Sequence, residues 1–467
     1  MKQLSAMTIA ALMTVALLPA ARVTAGSERT NIRGMGMART FVAGSRGLEA
    51  VGINPANLAY PDSGTVTISL MPFGVHVGSD MMTYGVYRDY FTGVATDSGR
   101  MARFLTDADK QRILDGFHDG VGRVAGDVEI RPLGVSLSFG SFGRFAFTIT
   151  EQVGFYGHVP REFAEFFLYG NTPGSVYNFG ATTIQAQWLR EYALSYGRML
   201  PAPVFLRSLA AGIAVKYVQG YGYYGLEHGS TSFVTGNDGV LQGAIDMSTR
   251  ASGGRRIKEM SDGGFTPFPG PVGTGWAFDL GATAEVTDFL TAGISLTDLG
   301  WVTWRNDLEM TRTDSAFVVT DPLSESQRDA VEDAVKGRTL PGEEFRTALG
   351  TKLRVGVAVD MDRVPLFLNA IPGDLTLAAD YNQGFSNVPG STTRGRFSLG
   401  MEYRPWAFLP IRAGVAFGGE DRSNVALGLG FRFGFLDLEF ASENLNWIFS
   451  NDDFSYGSAA FGLKVRL

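Results

Sequence analysis

The sequence predicts an all-β fold: a transmembrane antiparallel β-barrel of about 14 strands, with an N-terminal plug and a few short helices in long loops. The first observation is the composition, which combines 60 glycines in 467 residues with 12% aromatic and only 19% charged residues. The second is a two-residue alternation of side chains that recurs along most of the chain. The third is that no run after residue 25 is long and apolar enough for a membrane-spanning helix.

The same composition excludes several classes of protein. The chain contains no cysteine, which rules out disulfides, cysteine metal sites and a cysteine-linked lipid anchor. Its glycines follow no three-residue period, so a collagen-like fold is excluded. The net charge of −7 argues against a nucleic-acid partner, because such proteins usually carry a basic surface.

Residues 1–25 predict a signal peptide. Lys2 supplies the positive start, Ala6–Leu18 form an uncharged apolar core, and Val23–Ala25 offer small residues for cleavage before Gly26. The alternative is a retained N-terminal anchor, but the apolar core is shorter than the roughly 20 residues that a membrane helix needs. Export of a barrel predicts the outer membrane of a Gram-negative bacterium.

Residues 64–467 predict the barrel itself. In 460–467, for example, every second residue is apolar, and the residues between them are small or charged. A soluble secreted all-β protein also alternates, but its solvent-exposed face is usually rich in Lys, Glu and Thr. The predicted strands cover 64–78, 126–139, 143–156, 182–198, 207–220, 231–249, 274–286, 289–298, 345–360, 373–383, 395–404, 410–419, 423–434, 435–443 and 455–467. Bacterial single-chain barrels have even strand numbers, so these fifteen stretches cannot be the exact set of strands, and we predict fourteen. The alternative is sixteen strands, with 80–90 as the sixteenth.

Helical patterns interrupt the strands at three places. Helices are predicted to begin near Thr106, after Pro160 and at Ser324, where Ser324–Gln327 have the sequence of a capping box. The stretch 250–273, which is rich in glycine and proline, predicts a long mobile loop. Long connections of this kind face the cell exterior in bacterial barrels.

Residues 26–63 do not alternate and predict a hatch or plug inside the lumen. Glycines permit tight turns, and an Asn-Pro pair is a turn signal. The candidate hatch and ligand-contacting residues are Gly34, Gly36, Asn54, Pro55, Ala56 and Asn57. A phosphate-binding loop is disfavoured, because no strand precedes these glycines and neither nucleotide-binding motif is completed.

These residues carry a family resemblance. Gly34–Gly36, then Ala43, then Asn54–Leu58 resemble the N-terminus of the FadL-type fatty-acid transporter group, and are similar also to the PorV-type barrels of type IX secretion. Further stretches are similar to an uncharacterised branch of these barrels: 105–110, 275–281, 296–301 and 396–403.

The resemblance implies an outer-membrane barrel of about fourteen strands whose N-terminal hatch plugs the lumen. Hydrophobic small-molecule ligands then bind inside and leave sideways through the wall into the membrane. Gly34, Gly36 and Asn54–Ala56 correspond to the hatch by motif. No ligand-binding side chain of the fatty-acid transporters aligns with this chain. The PorV-like alternative is an accessory barrel that helps to deliver or anchor secreted proteins, and a third reading is a structural barrel without transport.

The expected partners follow from this interpretation. They are outer-membrane lipid, a hydrophobic small molecule and the barrel-assembly machinery, which would recognise the C-terminal strand. That strand ends in Leu467, where many such proteins have phenylalanine. We expect no nucleic-acid partner.

Charged residues on the inward faces of the C-terminal strands form a second candidate site. They could bind carboxylates or line a polar path, since arginine suits carboxylates. The interpretation we favour is charge pairing that packs the lumen against the plug. The residues are Arg396, Glu402, Arg412, Arg432, Glu439, Lys464 and Arg466.

No catalytic centre is predicted. The chain has four histidines, and none has the spacing of a zinc-protease motif. No serine-hydrolase elbow occurs either. His158 could serve a lipase-like site, but a loop histidine without catalytic role is the favoured interpretation. We therefore expect no enzyme activity, no cofactor and no metal site.

Overall fold

The computed structural model describes residues 28–61, 64–96, 99–263, 269–321, 324–367, 370–419, 423–444 and 455–467. The predicted signal peptide, residues 1–25, lies outside the described residues. None of the helices in the described part of the chain has the length and apolarity needed to span a membrane.

Fourteen strands form a closed antiparallel barrel, and this confirms the predicted fold class. Each strand pairs with the next one in the ring, and the first pairs with the last, Ile68 lying opposite Val465. The strands are β1 Val66–Ser79, β2 Val121–Ser138, β3 Arg144–Pro160, β4 Thr183–Leu200, β5 Ser208–Thr235, β6 Gly273–Glu285, β7 Leu290–Trp304, β8 Lys352–Asp360, β9 Asp374–Gly384, β10 Arg396–Trp406, β11 Leu409–Gly418, β12 Ser423–Phe433, β13 Leu436–Glu443 and β14 Tyr456–Arg466.

The two ends of the barrel differ in their connections. At the short-turn end, where Val66 meets Leu467, strands are joined by stretches such as 407–408 and 434–435. At the long-loop end the connections include 80–120 and 305–351. The helices are α1 Ile32–Gly36, α2 Tyr84–Phe91, α3 Asp107–Leu114, α4 Arg161–Tyr169, α5 Gly254–Gly263 and α6 Glu325–Lys336, with 3₁₀ turns at Gly47–Ala50, Pro55–Ala59, Gly140–Phe142, Met361–Arg363 and Pro365–Phe367.

One of the fifteen predicted strands is wrong. The stretch 231–249 contains a turn, in which the Gly236 N–H donates to the Val240 carbonyl and Gly239 takes a φ of +82°. Its two halves belong to β5 and to Leu241–Ser252, a hairpin strand that lies beyond the ring. A glycine-rich turn reverses the chain inside what looked like one alternating run. The other strands outside the ring are Val94–Thr96, Gly99–Met101, Val176–Asn178, Leu308–Val319, Arg338–Pro341 and Phe345–Ala348.

The loops hold more helix than expected. The candidate sixteenth strand 80–90 is instead occupied by α2, which Thr83 caps by accepting the Val86 N–H. The predicted mobile loop 250–273 contains α5. Helices α3 and α4 lie where they were expected, and α6 begins at Glu325, but Ser324 makes no side-chain capping hydrogen bond, so the capping-box prediction is wrong.

The outward face of the ring is apolar. Large side chains such as Trp276, Phe397 and Phe433 remain about half exposed, although water would not favour so much apolar surface. Their neighbours in sequence point inward, as the alternation requires. An outer apolar band around a closed barrel is the surface that a lipid bilayer solvates.

The core of the molecule lies inside the ring, between the barrel strands and residues 28–61, which we call the N-terminal segment. Leu48 and Leu58 of this segment pack against Ala146 and Ala193 of the wall. On the other side Ile32 belongs to a buried cluster with two wall alanines. Small inward residues of the wall therefore leave room for the segment.

Candidate functional site

Helix α1 seats the start of the N-terminal segment against the wall. Asn31 caps it by accepting the Gly34 N–H at 3.0 Å, and its amide donates to the Glu49 carbonyl at 2.9 Å. Gly36 faces Gly428 of β12 so closely that a Cβ on Gly36 would lie 2.8 Å from the Gly428 Cα. Gly34 has no such backbone neighbour, since a Cβ there would meet the Asn31 side chain at 3.2 Å.

The Asn54–Asn57 turn anchors the other half of the segment. Asn54 accepts the Ala56 N–H at 3.2 Å and donates to the Thr283 hydroxyl at 2.9 Å. Asn57 donates to the Val42 carbonyl at 2.8 Å and accepts from the same Thr283 hydroxyl at 2.6 Å. Both asparagines thus join the segment to β6. Pro55 begins the 3₁₀ turn, where its missing N–H leaves no donor unsatisfied.

A buried chain of alternating charges crosses from the segment into the wall. Arg33 donates to both oxygens of Glu402, at 2.6 and 2.8 Å, and Glu402 also accepts from Arg412 at 2.7 Å. Arg412 reaches Glu439 at 3.0 Å, and Glu439 lies 2.9 Å from Lys464. Such bidentate arginine contacts fix geometry as well as charge.

Lys464 closes this chain, because it also binds Glu49 of the N-terminal segment. Burial alone would lower the pKa of Arg33, but Glu402 and Glu49 hold that pKa above its ordinary value. Arg33 is therefore fixed as a cation in the lumen, bound to carboxylates from both the segment and the wall.

The other three predicted lumen residues lie outside this chain. Arg396 donates to the Ala38 carbonyl at 2.8 Å. Arg432 lies opposite Asp437 in the β12–β13 pairing, and Arg466 binds Asp437 from the neighbouring strand.

Sequence reasoning missed the charges that meet at the start of the N-terminal segment. Arg29 binds Asp127 of β2 and, at 2.6 Å, Glu443 of β13. Glu28 binds Lys352 at 3.1 Å and also Arg354. The wall residues sit at inward positions of alternating strands, so the signal was present, but their partners lie far away along the chain.

The pairing between β1 and β2 is interrupted at a place that we call the seam. Between β1 and β2 the paired residues Leu70–Leu133 and Phe73–Ile130 flank two residues on each strand that do not pair: Met71–Pro72 and Arg131–Pro132. Both strands also shift register against their other neighbours here. Prolines carry no N–H, so each removes a donor from the ladder.

Behind the seam lie residues of the N-terminal segment. Pro72 and Ile32 are both close to Gly462, and a Cβ on that glycine would lie 3.5 and 2.7 Å from them. Arg131 is only 5% exposed, and its Nε has no hydrogen-bond partner among the described residues. On the outer side Met71 is 64% exposed with a φ of +45°.

No metal-binding cluster accompanies these features in the described ranges. Groups of three or more His, Asp or Glu side chains placed to hold a metal ion are absent from that part of the chain. His158 lies near the long-loop end of β3, with its ring edge-on to Tyr156 at 4.9 Å.

Comparison with known proteins gives one family and several solved structures. The model of a family of unknown function, DUF5723, matches residues 55–442. No curated protein matches the sequence. The Ralstonia pickettii toluene transporter TbuX is 13% identical with a TM-score of 0.49, covering 94% of this chain and 99% of its own.

Two further structures are similar at the same level. The Pseudomonas putida toluene transporter TodX is 11% identical with a TM-score of 0.46, covering 94% of this chain and 97% of its own. A Pseudomonas aeruginosa FadL homologue is 15% identical with a TM-score of 0.41, covering 95% and 99%.

Proposed function

The chain belongs to the family of unknown function DUF5723, and we propose that it is an outer-membrane barrel that passes hydrophobic, fatty-acid-like small molecules across the outer membrane. The N-terminal segment is the plug of this barrel. In this proposal the plug blocks the axis of the lumen, so ligands enter at one place and leave at another. We assign no enzymatic step to this passage.

Two features support the plug. The segment is held by hydrogen bonds at Asn54 and Asn57 and by ion pairs at Arg33, all to barrel strands. Its apolar residues pack against inward alanines of the wall. A segment held by both kinds of contact occupies the lumen and narrows any path through it.

The seam is the observation that carries the proposal. Two consecutive ladder positions, four residues in all, lack pairing between β1 and β2, so this part of the wall separates at a lower free-energy cost than a regular ladder. The outer surface there faces the bilayer, and apolar Ile32 and Leu48 of the plug lie behind it. A hydrophobic molecule that leaves through the seam passes from the lumen into lipid without crossing water.

A disulfide across the seam tests this exit. The chain has no cysteine, so Leu70→Cys with Leu133→Cys, a directly paired position on β1 and β2, introduces a single bridge. Cells that lack their own fatty-acid transporter and express the variant take up radiolabelled oleate. We expect the oxidised variant to lose most of the uptake and a reducing agent to restore it.

The matched control places the same bridge in a regular ladder. Leu399→Cys with Val415→Cys joins a paired position on β10 and β11, far from the seam. Its uptake should be equal in oxidised and reduced cells. Full uptake by the oxidised seam variant would refute the lateral exit, and no uptake by the unmodified barrel would refute the transport function.

The accessory role remains a second candidate because of one observation. Strand β5 has 28 residues and continues beyond the ring, where it pairs with Leu241–Ser252, which in turn pairs with Leu308–Val319. This projecting sheet is a surface on which a secreted protein could dock. Deletion of the gene would then remove proteins from the cell surface while oleate uptake stayed unchanged.

A further inference from the structure

A cavity that opens among the long-loop connections has six cations in its lining, and we call it the cationic cavity. The acidic side chain in its lining is Glu28, and the remaining lining residues are glycine or uncharged polar residues. Among the residues that the structure describes, no apolar side chain lines it. The cations are Arg29, Arg39, Lys352, Arg354, Arg394 and Arg396.

Two of the carboxylates that directly contact these cations, Glu443 and Glu28, are each shared by two or more of them. Glu443 is shared by three arginines, at 2.6 Å from Arg29, 2.7 Å from Arg39 and 3.6 Å from Arg396. Arg29 has Asp127 as a further partner. These five side chains bring three positive and two negative charges to one wall of the cavity.

On the opposite wall a carboxylate is again shared in direct contacts. Lys352 and Arg354 share the single carboxylate of Glu28. Arg394, at the end of a connecting loop, adds a sixth cation whose nearest carboxylate is Asp119 at 3.9 Å. Of these cations Arg394 is exposed, and the buried Asp279, Asp298 and Asp380 also compensate the charge of Arg354 at longer range.

Arg354 retains an unused donor, and the Nη2 of Arg396 makes only the 3.6 Å ion pair with Glu443. The Nε of Arg354 and the Nη2 of Arg396 are buried and have no hydrogen-bond partner among the described residues. The guanidinium of Arg354 is only 1% exposed, and its other nitrogens already bind Glu28 and Asn382. Guanidinium donors arranged around one space match the oxygens of an oxyanion.

Glu28 already supplies such oxygens. Burial alone would raise the pKa of Glu28, but the Arg354 guanidinium and the Lys352 ammonium hold that pKa well below its usual range. Glu28 is therefore a carboxylate at neutral pH. The Glu28 carboxylate therefore occupies the place in the cavity where an external anion would contact Lys352 and Arg354.

We infer that the cationic cavity binds a small hydrophilic oxyanion of the phosphate class, and that this ion displaces the Glu28 carboxylate from Lys352 and Arg354. A polar lining suits a hydrated ion and offers no surface to an acyl chain. The site is thus distinct from the hydrophobic passage, and its test does not depend on transport.

Isothermal titration of the purified full chain with inorganic phosphate, at constant ionic strength, tests the inference. We expect saturable binding to the unmodified chain and roughly tenfold tighter binding to Glu28→Gln, because that variant loses the competing charge. Adding Arg354→Gln to Glu28→Gln should abolish the gain, whereas adding Arg305→Gln, an exposed arginine outside the cavity, should leave it intact.

Heat-modifiable gel migration checks that each variant is folded, and Arg394→Gln replaces Arg354→Gln if the latter is not. Three results would overturn the inference: no saturable phosphate binding to either the unmodified chain or Glu28→Gln, equal competition by chloride, or binding that survives loss of the cavity arginine. Displacement of phosphate by an equal concentration of oleate would also overturn it, since the cavity would then take an acyl carboxylate.

Discussion

The seat of helix α1 on the wall can be tested with two alanine substitutions in the same turn of helix. Gly34→Ala and Gly36→Ala each add one methyl group and each raise helix propensity by about 1 kcal/mol. They differ in what the methyl meets. In Gly36→Ala it would lie 2.8 Å from the Cα and 3.1 Å from the N of Gly428, and 3.3 Å from the Arg412 Cβ.

The magnitude follows from what these neighbours can do. Gly428 is backbone in β12, paired to Arg412 on one side and Ala441 on the other, so it cannot retreat without breaking ladder hydrogen bonds. Overpacking against such a neighbour costs about 1–3 kcal/mol. In Gly34→Ala the methyl meets the Asn31 side chain at 3.2 Å, and that side chain can adjust. We expect the Gly36 variant alone to loosen the N-terminal segment.

Limited trypsin digestion of the purified barrel measures this. Arg33 and Arg39 lie on and beside α1 and are largely buried, so cleavage there requires the segment to leave its seat. Cleavage of an opened state follows its population, and about 1.4 kcal/mol is a factor of ten in that population. Cleavage should therefore be roughly ten times faster in Gly36→Ala than in Gly34→Ala, and equal rates would refute the close contact with Gly428.

Two further predictions address the charge chain and the barrel closure. Glu402→Gln leaves Arg33 and Arg412 buried without their shared carboxylate and should lower the free energy of unfolding in urea by about 3–5 kcal/mol. The control Glu344→Gln removes the exposed ion-pair partner of Arg305 and should change that free energy by less than about 1 kcal/mol. Similar values for both variants would contradict the buried network. Removal of Phe461–Leu467 deletes most of β14, the strand that closes the ring on β1. The truncated chain should therefore fail to insert into the membrane and should lose heat-modifiable gel migration. Normal migration would show that barrel closure does not need these residues.

The strands could be predicted from sequence because alternation is a local property. Each residue of a strand points to the face opposite its neighbours, so an apolar outside and a small or charged inside leave a two-residue pattern. The pattern failed at 231–249, where alternation continued on both sides of a tight turn and the two strands of a hairpin looked like one. The pattern also failed at 80–90, where Thr83 caps a helix whose sequence has no clear helical periodicity of apolar residues.

The partners of the inward charges could not be predicted in this way. Arg33 and Glu402 are 369 positions apart, and Arg29 and Glu443 are 414 apart. The alternation assigns Glu402 to the lumen, but only ring closure and the path of the segment decide which cation it meets. The seam was hidden for a similar reason, since Pro72 and Pro132 are neighbours only in the paired strands.

The sequence by itself determined the fold class, the inward face of each barrel strand and the places where glycine leaves room inside the ring. These depend on propensity and period, which act over a few residues. The tertiary structure alone decided that β5 continues into a projecting sheet, that the prolines of β1 and β2 meet at one seam, and that six cations line one cavity with Glu28. Each of these arises from contacts between residues distant in the chain, and such contacts form only when the barrel closes around the N-terminal segment.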